Sequence, residues 1–476
     1  MTKHLLAGMT LAAATLLGAC SDDLTIPNYN SPTPGGIAGD PVGGLQLGVS
    51  GILGQDRASY AGYMNNFGIL GREIFNYFPT DNRSHVHFVA QNPLDPSGFA
   101  TGNWTGPYLN MRNLFNLRST VAAASLSDAQ KSATNGFAGT TEAYTLMMVI
   151  AQRHDYGAIV DIVEDPQVPQ PFVSRDSVQN WVASKLDEAH TQLVNGGTAF
   201  PFNLHAGFNS EGDFDDPANF AKYNRALKAR IDVWRASLGN AACGAGGVTC
   251  YQDAITALGS SFIDPAGDLG VGVYHIYSAE SGDTRNSLNA DVDADKVGHP
   301  SLIAEAPLKG DGSKDDRYVR KIRTLETPRA PSGGAVNGIN TTIGFQIYET
   351  PTTPAPIIRN EELILIRAEA RYFTGDVGGA LADINTIRTR SGGLPARGAF
   401  TSADDFVTEL LLQRRMSLLW EGHRWVDVRR FGRLATLPKD LPTFFIQAQQ
   451  PIPSAECDVR RNLEGNLQCP APILGF

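Results

Sequence analysis

Two short stretches of the sequence mix aromatic rings with hydrogen-bonding and charged side chains, a combination that can bind sugars. The first contains Phe78, Asp81, Asn82, Arg83, His85, His87 and Phe88, and the second contains Tyr274, His275 and Tyr277. The flat face of a sugar stacks on an aromatic ring, while its hydroxyl groups need polar partners. The residues predicted to contact a ligand are Phe78, Asp81, Arg83, His87, Phe88, Tyr274 and Tyr277. Ordinary packing in the core or in a loop is the competing interpretation for each of them.

The sequence carries none of the standard catalytic patterns H-E-x-x-H, G-x-S-x-G or P-loop. We therefore expect no enzymatic activity, no catalytic residues and no cofactor. Asp291-x-Asp293-x-Asp295 resembles the first half of a calcium loop, but Lys296 stands at the glycine position and Leu302 at the twelfth position. The segment is better interpreted as a solvated acidic loop, and we predict no metal site. A secreted hydrolase remains the alternative.

The beginning of the chain has the pattern of an export signal. A short basic start precedes an apolar run over residues 5–17, which is too short to span a bilayer as a helix. The run ends in Leu17-Gly18-Ala19-Cys20, which resembles a lipobox, the motif whose cysteine takes a lipid such as palmitate. We predict a signal peptide at 1–19, lipidation of Cys20, and a flexible tether at 20–44, rich in Pro, Gly, Asn and Ser. An ordinary signal peptide followed by a chance cysteine is the alternative.

The four other cysteines form two pairs that are close in sequence, Cys243 with Cys250 and Cys457 with Cys469. Export would place them in an oxidising compartment, where both pairs can close locally as disulfides. Zinc binding is the alternative, but neither pair has the C-x₂₋₄-C spacing of a structural zinc site.

Composition favours one large, acidic globule. Hydrophobic residues make up 42% of the chain, the formal charge is −10 and the pI is about 5.4. This charge argues against a general nucleic-acid role. Length alone would allow two or three domains, but no break in composition divides the chain after the tether, so we predict a single body at 45–476.

Hydrophobic periodicity indicates a mainly α fold with long irregular loops and a few short β-strands. Helical spacing of apolar residues occurs at 104–117, 137–153, 177–193, 218–238 and 253–258. The region 259–356 is rich in Gly, Pro, Asp, Ser and Thr, with β-type runs at 271–277 and 341–348. Because loops of this size are usually functional or disordered, we predict a loop-rich ligand-binding insertion there.

Residues 359–393 form the clearest local unit. Asn360 is predicted to cap a helix whose first turn holds Glu361 and Glu362. A turn at 374–376 leads to a second apolar-faced helix. Two such helices form a tetratricopeptide-like hairpin.

Residues 413–432 read QRRMSLLWEGHRWVDVRRFG. This segment resembles the C-terminal signature of the SusD/RagB family, approximately E-R-R-x-E-L-x-x-E-G-H-R-W-x-D-L-x-R-x-G. Gln413 and Ser417 stand where the family more often has glutamates. The matching residues are Glu421, Gly422, His423, Arg424, Trp425, Asp427, Arg430 and Gly432. Segments at 359–390 and 451–466 resemble further conserved stretches of the family, whereas the middle loops match no family pattern.

The resemblance implies a helical body with four tetratricopeptide-like hairpins and a ligand face built from loops. It also implies an outer-membrane lipoprotein, exposed on the cell surface, whose partner is a TonB-dependent, SusC-like transporter. Its ligand would be an oligosaccharide or, as in some members, a peptide. A pure protein-interaction scaffold is a further alternative, since tetratricopeptide-like hairpins often bind proteins.

The charges of the signature segment have a physical interpretation of their own. Arginines and acids alternate among large aromatic residues, which predicts a network of ion pairs under aromatic packing. The residues assigned to this structural motif are Glu421, Gly422, His423, Arg424, Trp425 and Asp427. His423 could serve as a base or a metal ligand, but a place in this network is the favoured interpretation.

Overall fold

The computed structural model describes residues 41–78, 80–290, 295–331 and 339–476. The predicted signal peptide, Cys20 and the tether up to residue 40 lie outside these residues. The first helix, α1 (Pro41–Leu70), already includes the last four residues of the predicted tether. Leu45 and Val49 are fully buried on this helix, so contact with the core begins at the end of the stretch that composition alone marks as flexible.

Most of the described chain is helical. After α1 the helices are α2 (Arg83–Val89), α3 (Thr105–Ala123), α4 (Asp128–Arg153), α5 (Arg175–Val194), α6 (Pro217–Ser237), α7 (Val248–Gly259), α8 (Ser301–Glu305), α9 (Asp316–Lys321), α10 (Asn360–Phe373), α11 (Val377–Arg390), α12 (Ala403–Ser417), α13 (Arg424–Arg430) and α14 (Ser454–Val459). From α3 to α7 each helix packs against the next one in the chain. The predicted mainly α fold of helical hairpins is confirmed.

Helix starts follow local chemistry where a capping residue is present. Ser127 caps α4 with its side chain, which accepts a hydrogen bond from the Gln130 N–H, and the Gln130 side-chain oxygen in turn accepts one from the Ser127 N–H. The Asp376 side chain accepts from the Gly379 N–H at the start of α11, and the Ser402 side chain accepts from the Asp405 N–H at the start of α12. These bonds satisfy N–H groups that have no partner inside the helix.

The predicted cap of α10 is wrong. Arg359 occupies the N-cap position, and Asn360 is the first helical residue. The Asn360 side chain instead accepts from the Asp264 N–H at 2.9 Å and donates to the Asp264 carbonyl at 2.7 Å. Asn360 therefore fastens the loop after α7 to the start of α10, a long-range role that local sequence cannot reveal.

The strands are short and pair across long stretches of sequence. They are β1 (Ile74–Asn76), β2 (Gly272–His275), β3 (Lys296–Gly298), β4 (Ile322–Arg329), β5 (Thr341–Phe345) and β6 (Ala355–Arg359). They form three antiparallel pairs, β1 with β3, β2 with β6 and β4 with β5. The region predicted to be loop-rich is therefore anchored twice: β3, in its middle, pairs with β1, and β2, near its start, pairs with β6, which leads directly into α10.

The core has a main part and a smaller satellite. The main part runs from α1 through α7 and includes both tryptophans of the signature segment. The satellite lies between α10, α11 and α12 and contains Ile364, Leu365, Ala368, Ala380, Ile384, Ile387, Phe406, Val407 and Leu410. Within the described ranges, none of the helices has the length and hydrophobicity needed to cross a membrane.

Both predicted cysteine pairs are joined as disulfides in the structure, with Cα–Cα distances of 5.0 Å for Cys243–Cys250 and 5.4 Å for Cys457–Cys469. The first pair closes the turn between α6 and α7. The second closes the loop that follows α14.

Candidate functional site

The first predicted ligand stretch surrounds α2 on the protein surface. Arg83 forms an ion pair with Asp81, with 2.6 Å between Nη2 and Oδ2, and its backbone N–H also donates to Asp81 Oδ1. These hydrogen bonds lower the pKa of Asp81 to about 2. The Arg83 side chain stays 59% exposed. The site therefore presents an ionised carboxylate and a guanidinium group that still has donors free for solvent or ligand.

An aromatic ring that sequence reasoning missed completes this surface. Phe99 is 52% exposed. The Arg83 guanidinium carbon lies 5.3 Å from its ring centroid, and the His87 ring centroid lies 5.6 Å from it. We call Asp81, Arg83, His87 and Phe99 the Phe99 platform. The sequence signal was a single aromatic residue in a loop rich in Pro, Ser and Gly, at 93–102.

The other residues of the first stretch differ in how far they are exposed to solvent. Phe78 is 46% exposed, and its carbonyl accepts a hydrogen bond from the Asp81 N–H at 3.3 Å, so it belongs to the same turn. Phe88 is 3% exposed and packs in the core. α2 directs this ring inward, so Phe88 offers no surface for the predicted contact with a ligand. His85 is also buried, and its Nδ1 lies 3.0 Å from the Asn76 carbonyl.

The second predicted stretch packs against α1 and presents little surface. Tyr277, a predicted ligand contact, is 8% exposed and its ring lies under the Arg57 guanidinium group. Tyr274 is partly buried and donates its hydroxyl hydrogen to the Gly270 carbonyl. His275 is 2% exposed, and its ring centroid is 4.6 Å from that of Tyr60. Of the two predicted ligand contacts in this stretch, Tyr274 and Tyr277, only Tyr274 is partly exposed.

The signature segment is buried and extensively paired. Asp427 accepts from Arg414 at 2.7 Å and from Arg430 at 3.0 Å. Burial alone would raise the pKa of Asp427, but the two guanidinium groups outweigh burial and hold it below its usual value. Arg430 also forms a bidentate pair with Glu369 of α10. Trp425 is fully buried and donates its indole N–H to the Gln447 carbonyl at 2.7 Å.

A second group of ion pairs joins this segment to the start of α10. Glu421 accepts from Arg359 at 2.8 Å, and Arg359 also pairs with Glu361. Glu362 is paired with Arg230 of α6, 2.7 Å from Nε to Oε1. The charge of Arg359 outweighs the effect of burial on Glu361, and that of Arg230 does so on Glu362, so the pKa of each of these two carboxyls falls to about 2.

His423 lies beside these pairs, with its Nε2 3.7 Å from Glu362 Oε2. Burial lowers the pKa of His423 to about 4, so the ring is neutral at pH 7. A neutral ring enclosed by permanently paired charges fits a packing role better than proton transfer.

The turn between α12 and α13 is conformationally special. Trp420 has φ +57° and Gly422 has φ +79°. A Cβ at Gly422 would lie 2.7 Å from Met64 Cε and 2.9 Å from Tyr63 Cε1, so only glycine fits. The turn therefore packs directly on α1, and this close approach requires a glycine at position 422.

No group of three or more His, Cys, Asp or Glu side chains able to hold a metal ion occurs in the parts of the chain that the structure describes. The predicted acidic loop lies mostly outside those parts, because 291–294 are not described. Asp295 pairs with Arg329 at 3.3 Å.

Comparisons with known proteins agree with the signature. The model of the SusD family matches residues 335–466. No curated protein matches the chain. A SusD superfamily protein from Bacteroides vulgatus superposes with a TM-score of 0.62 at 13% identity, covering 88% of this chain and 97% of its own.

Two further structural neighbours have names that state a ligand class. A laminarin-binding SusD-like protein gives a TM-score of 0.57 at 15% identity and covers 88% of this chain and 97% of its own. Surface glycan-binding protein A from Bacteroides fluxus gives 0.60 at 15% identity and covers 92% and 99%. The resemblance to the SusD/RagB family is thereby confirmed: residues 335–466 match the model of the SusD family, and the chain has the fold of SusD superfamily proteins.

Proposed function

We propose that this protein binds an oligosaccharide nutrient on the Phe99 platform and passes it unchanged to a TonB-dependent outer-membrane transporter. The observation that carries the proposal is the half-exposed Phe99 ring flanked by Arg83 and His87. Two structural neighbours are named as laminarin-binding and surface glycan-binding proteins. Their likeness supports a glycan as the ligand class.

The platform has the chemistry that a sugar requires. The Phe99 ring offers a flat apolar face for the C–H groups of a pyranose. Asp81 remains an ionised acceptor at any physiological pH because its pKa is about 2. Arg83 supplies N–H donors beyond those that Asp81 uses. Such a site orients hydroxyl groups around a stacked ring without activating water, so binding without conversion is the expected outcome.

Delivery to a transporter is the second half of the proposal. A lipid on Cys20 and the Pro- and Gly-rich segment after it would hold the body close to the membrane, which raises its effective concentration beside a barrel. Mild solubilisation of native membranes followed by affinity purification should recover a large TonB-dependent barrel in near-equal amount. Recovery of the lipoprotein alone would favour a free receptor or a scaffold.

The binding half is tested by titration against a panel of glycans and peptides with matched variants. Phe99→Ala should weaken the best glycan about tenfold or more, a loss of roughly 1.4 kcal/mol. Phe476→Ala removes a ring of similar exposure, 55%, at the C-terminus, and should leave affinity unchanged. Arg83→Ala is compared with Arg461→Ala, which breaks an exposed arginine–aspartate pair elsewhere.

The outcome also separates the alternatives. If Phe99→Ala and the wild type bind the glycan with equal affinity, the Phe99 platform is not the ligand site. If cleaved products appear from any glycan or peptide, the protein is a hydrolase rather than a binding protein. Absence of any ligand-dependent rise in melting temperature would favour a protein-interaction scaffold.

A further inference from the structure

Glu73 is a buried carboxyl group without a hydrogen-bonded partner. It lies between α1 and β1 and is 1% exposed. Neither of its carboxyl oxygens has a hydrogen-bond partner of ordinary geometry within the described parts of the chain. Asp427 and Glu361, which are buried in the same part of the protein, both have arginine partners. Since a buried charge is costly unless it is paired, Glu73 is the exception that needs an explanation.

The arginines that act on Glu73 are paired with a different carboxylate. Burial raises the pKa of Glu73 to about 7, and the charges of Arg424 and Arg415 oppose this effect. Both guanidinium groups contact Glu305 at the end of α8, Arg424 with its Nη2 3.2 Å from Oε2 and Arg415 with its Nη1 on the same oxygen. The Glu305 side chain is 37% exposed. Two cations thus converge on one oxygen of a carboxylate near the surface, while the buried Glu73 holds neither.

The same arginines have the reach and the free donors to bind Glu73. Arg424 holds Glu305 with Nη2 and donates from Nε to the Gly71 carbonyl at 2.9 Å, two residues before Glu73. The Arg415 side chain is 1% exposed, and its Nε has no hydrogen-bond partner among the described residues. An unpartnered donor and an unpartnered acceptor are therefore buried in one region of the protein.

The other charged groups around Glu73 have partners of their own. Lys321 of α9 acts on Glu73 more weakly than the two arginines. Its ammonium group donates to the carbonyls of Met416 and Ser417 and lies 3.7 Å from Glu421. On the side of β3, the His299 N–H donates to the Glu73 carbonyl, the His299 ring is 3.0 Å from Asp440, and Asp440 is 3.6 Å from Arg72. The competition for Arg415 and Arg424 is therefore between Glu73 and Glu305.

We propose that Glu73 and Glu305 compete for Arg415 and Arg424, so that release of a proton from Glu73 draws the two guanidinium groups inward and loosens α8. Protonated Glu73 needs no counter-charge, and the arginines then stay with Glu305. Ionised Glu73 attracts them more strongly than Glu305 does, because water screens the exposed carboxylate. The proposal is independent of the glycan site, since it involves none of the residues of the Phe99 platform.

The direction of the pH effect follows from the two arrangements. Glu73 binds a proton more tightly when the arginines are on Glu305 than when they are on Glu73 itself. Raising the pH towards 7 therefore shifts the population to the inward arrangement, by up to about tenfold per pH unit. α8 lies within the loop-rich region 259–356, so the protonation state of Glu73 would set how firmly this part of the region is held to the signature segment.

The test measures how accessible the Glu305 carboxylate is. The full mature protein is labelled with a water-soluble carbodiimide and an amine at pH 5.5 and at pH 7.5, and labelled peptides are quantified by mass spectrometry. Asp316 is the internal reference, because its ion pair with Lys309 has a similar exposure, 44%, and does not involve Glu73. The ratio of Glu305 to Asp316 labelling should rise about fivefold or more between the two pH values.

Matched variants assign the effect to Glu73. Glu73→Gln imitates the protonated side chain and should keep the low ratio at both pH values. Glu142→Gln changes a largely buried glutamate that is paired with Arg118 on another helix, and should retain the rise. If Glu73→Gln does not fold, the wild type alone decides: a ratio that is equal at pH 5.5 and pH 7.5 overturns the proposal. A rise that persists in Glu73→Gln would place the titrating group elsewhere and overturns it as well.

Discussion

Replacing Asp427 by asparagine tests whether the signature segment acts in folding. Asp427 is 2% exposed and holds Arg414 at 2.7 Å and Arg430 at 3.0 Å. Arg430 keeps Glu369 as a partner in the variant, but Arg414, also 2% exposed, loses its carboxylate. The substitution therefore strands one buried cation while leaving the shape of the side chain nearly unchanged.

The expected magnitude follows from that stranded charge. Breaking a buried pair by removing one partner costs about 3–5 kcal/mol. An unfolding entropy of roughly 2 cal/mol/K per residue gives about 0.9 kcal/mol/K for a body of this length. The melting temperature of Asp427→Asn should fall by about 3–6 °C. The free energy of unfolding in urea should fall in parallel, with ligand affinity unchanged under folding conditions.

Two variants make the measurement specific. Asp404→Asn breaks an ion pair with Arg433 of similar length, 2.6 Å, but Asp404 is 83% exposed. It should cost less than about 1 kcal/mol. Adding Arg414→Met to Asp427→Asn removes the stranded cation and should restore much of the lost stability. The reasoning is refuted if Asp427→Asn is as stable as Asp404→Asn, or if it loses ligand binding with its stability intact.

Three further predictions concern other parts of the molecule. For Asp56, burial raises the pKa from 3.8 in the unfolded chain to about 7 in the folded state, so the free energy of unfolding should decrease as pH rises from about 4 to 7. That decrease amounts to at most about 4 kcal/mol, and urea titrations of Asp56→Asn should lack it. Cys20→Ala should release the protein from membranes or leave it unprocessed, which fractionation and mass spectrometry would detect; normal attachment and processing would disprove lipidation. Peptide mapping without reduction should recover Cys243–Cys250 and Cys457–Cys469 from the exported protein, and free thiols or crossed pairs would contradict the assignment.

The sequence by itself determined the elements whose signals are local. The apolar periodicity of 137–153 and the residues around Ser127 specify α4 and its start, because spacing and capping act within a few residues. The signature at 413–432 predicted, from residue types alone, the similarity to the SusD family that the family model also finds over 335–466. Its alternating charges also predicted an ion-pair network, since arginines and acids that are buried together must be paired.

The sequence alone could not predict which side chains of the short helices and strands face solvent. α2 has seven residues, too few for a clear period, so nothing local distinguishes the buried Phe88 from the solvent-facing Arg83. Phe99 lies beside Arg83 and His87 because a separate loop brings it next to α2. Tyr277 is buried because β2 and the loop that follows it pack on α1.

The tertiary structure alone decided the long-range partners. Arg230 and Glu362 are 132 residues apart, and no periodicity links a position on α6 to the first turn of α10. Asp56 lies on a helix that is continuous on both sides, and it meets its hydrogen-bond partners Asn110 and Thr145 only when α3 and α4 pack beside α1. Burial and pairing depend on which distant surfaces meet, so they are set by packing of the whole chain.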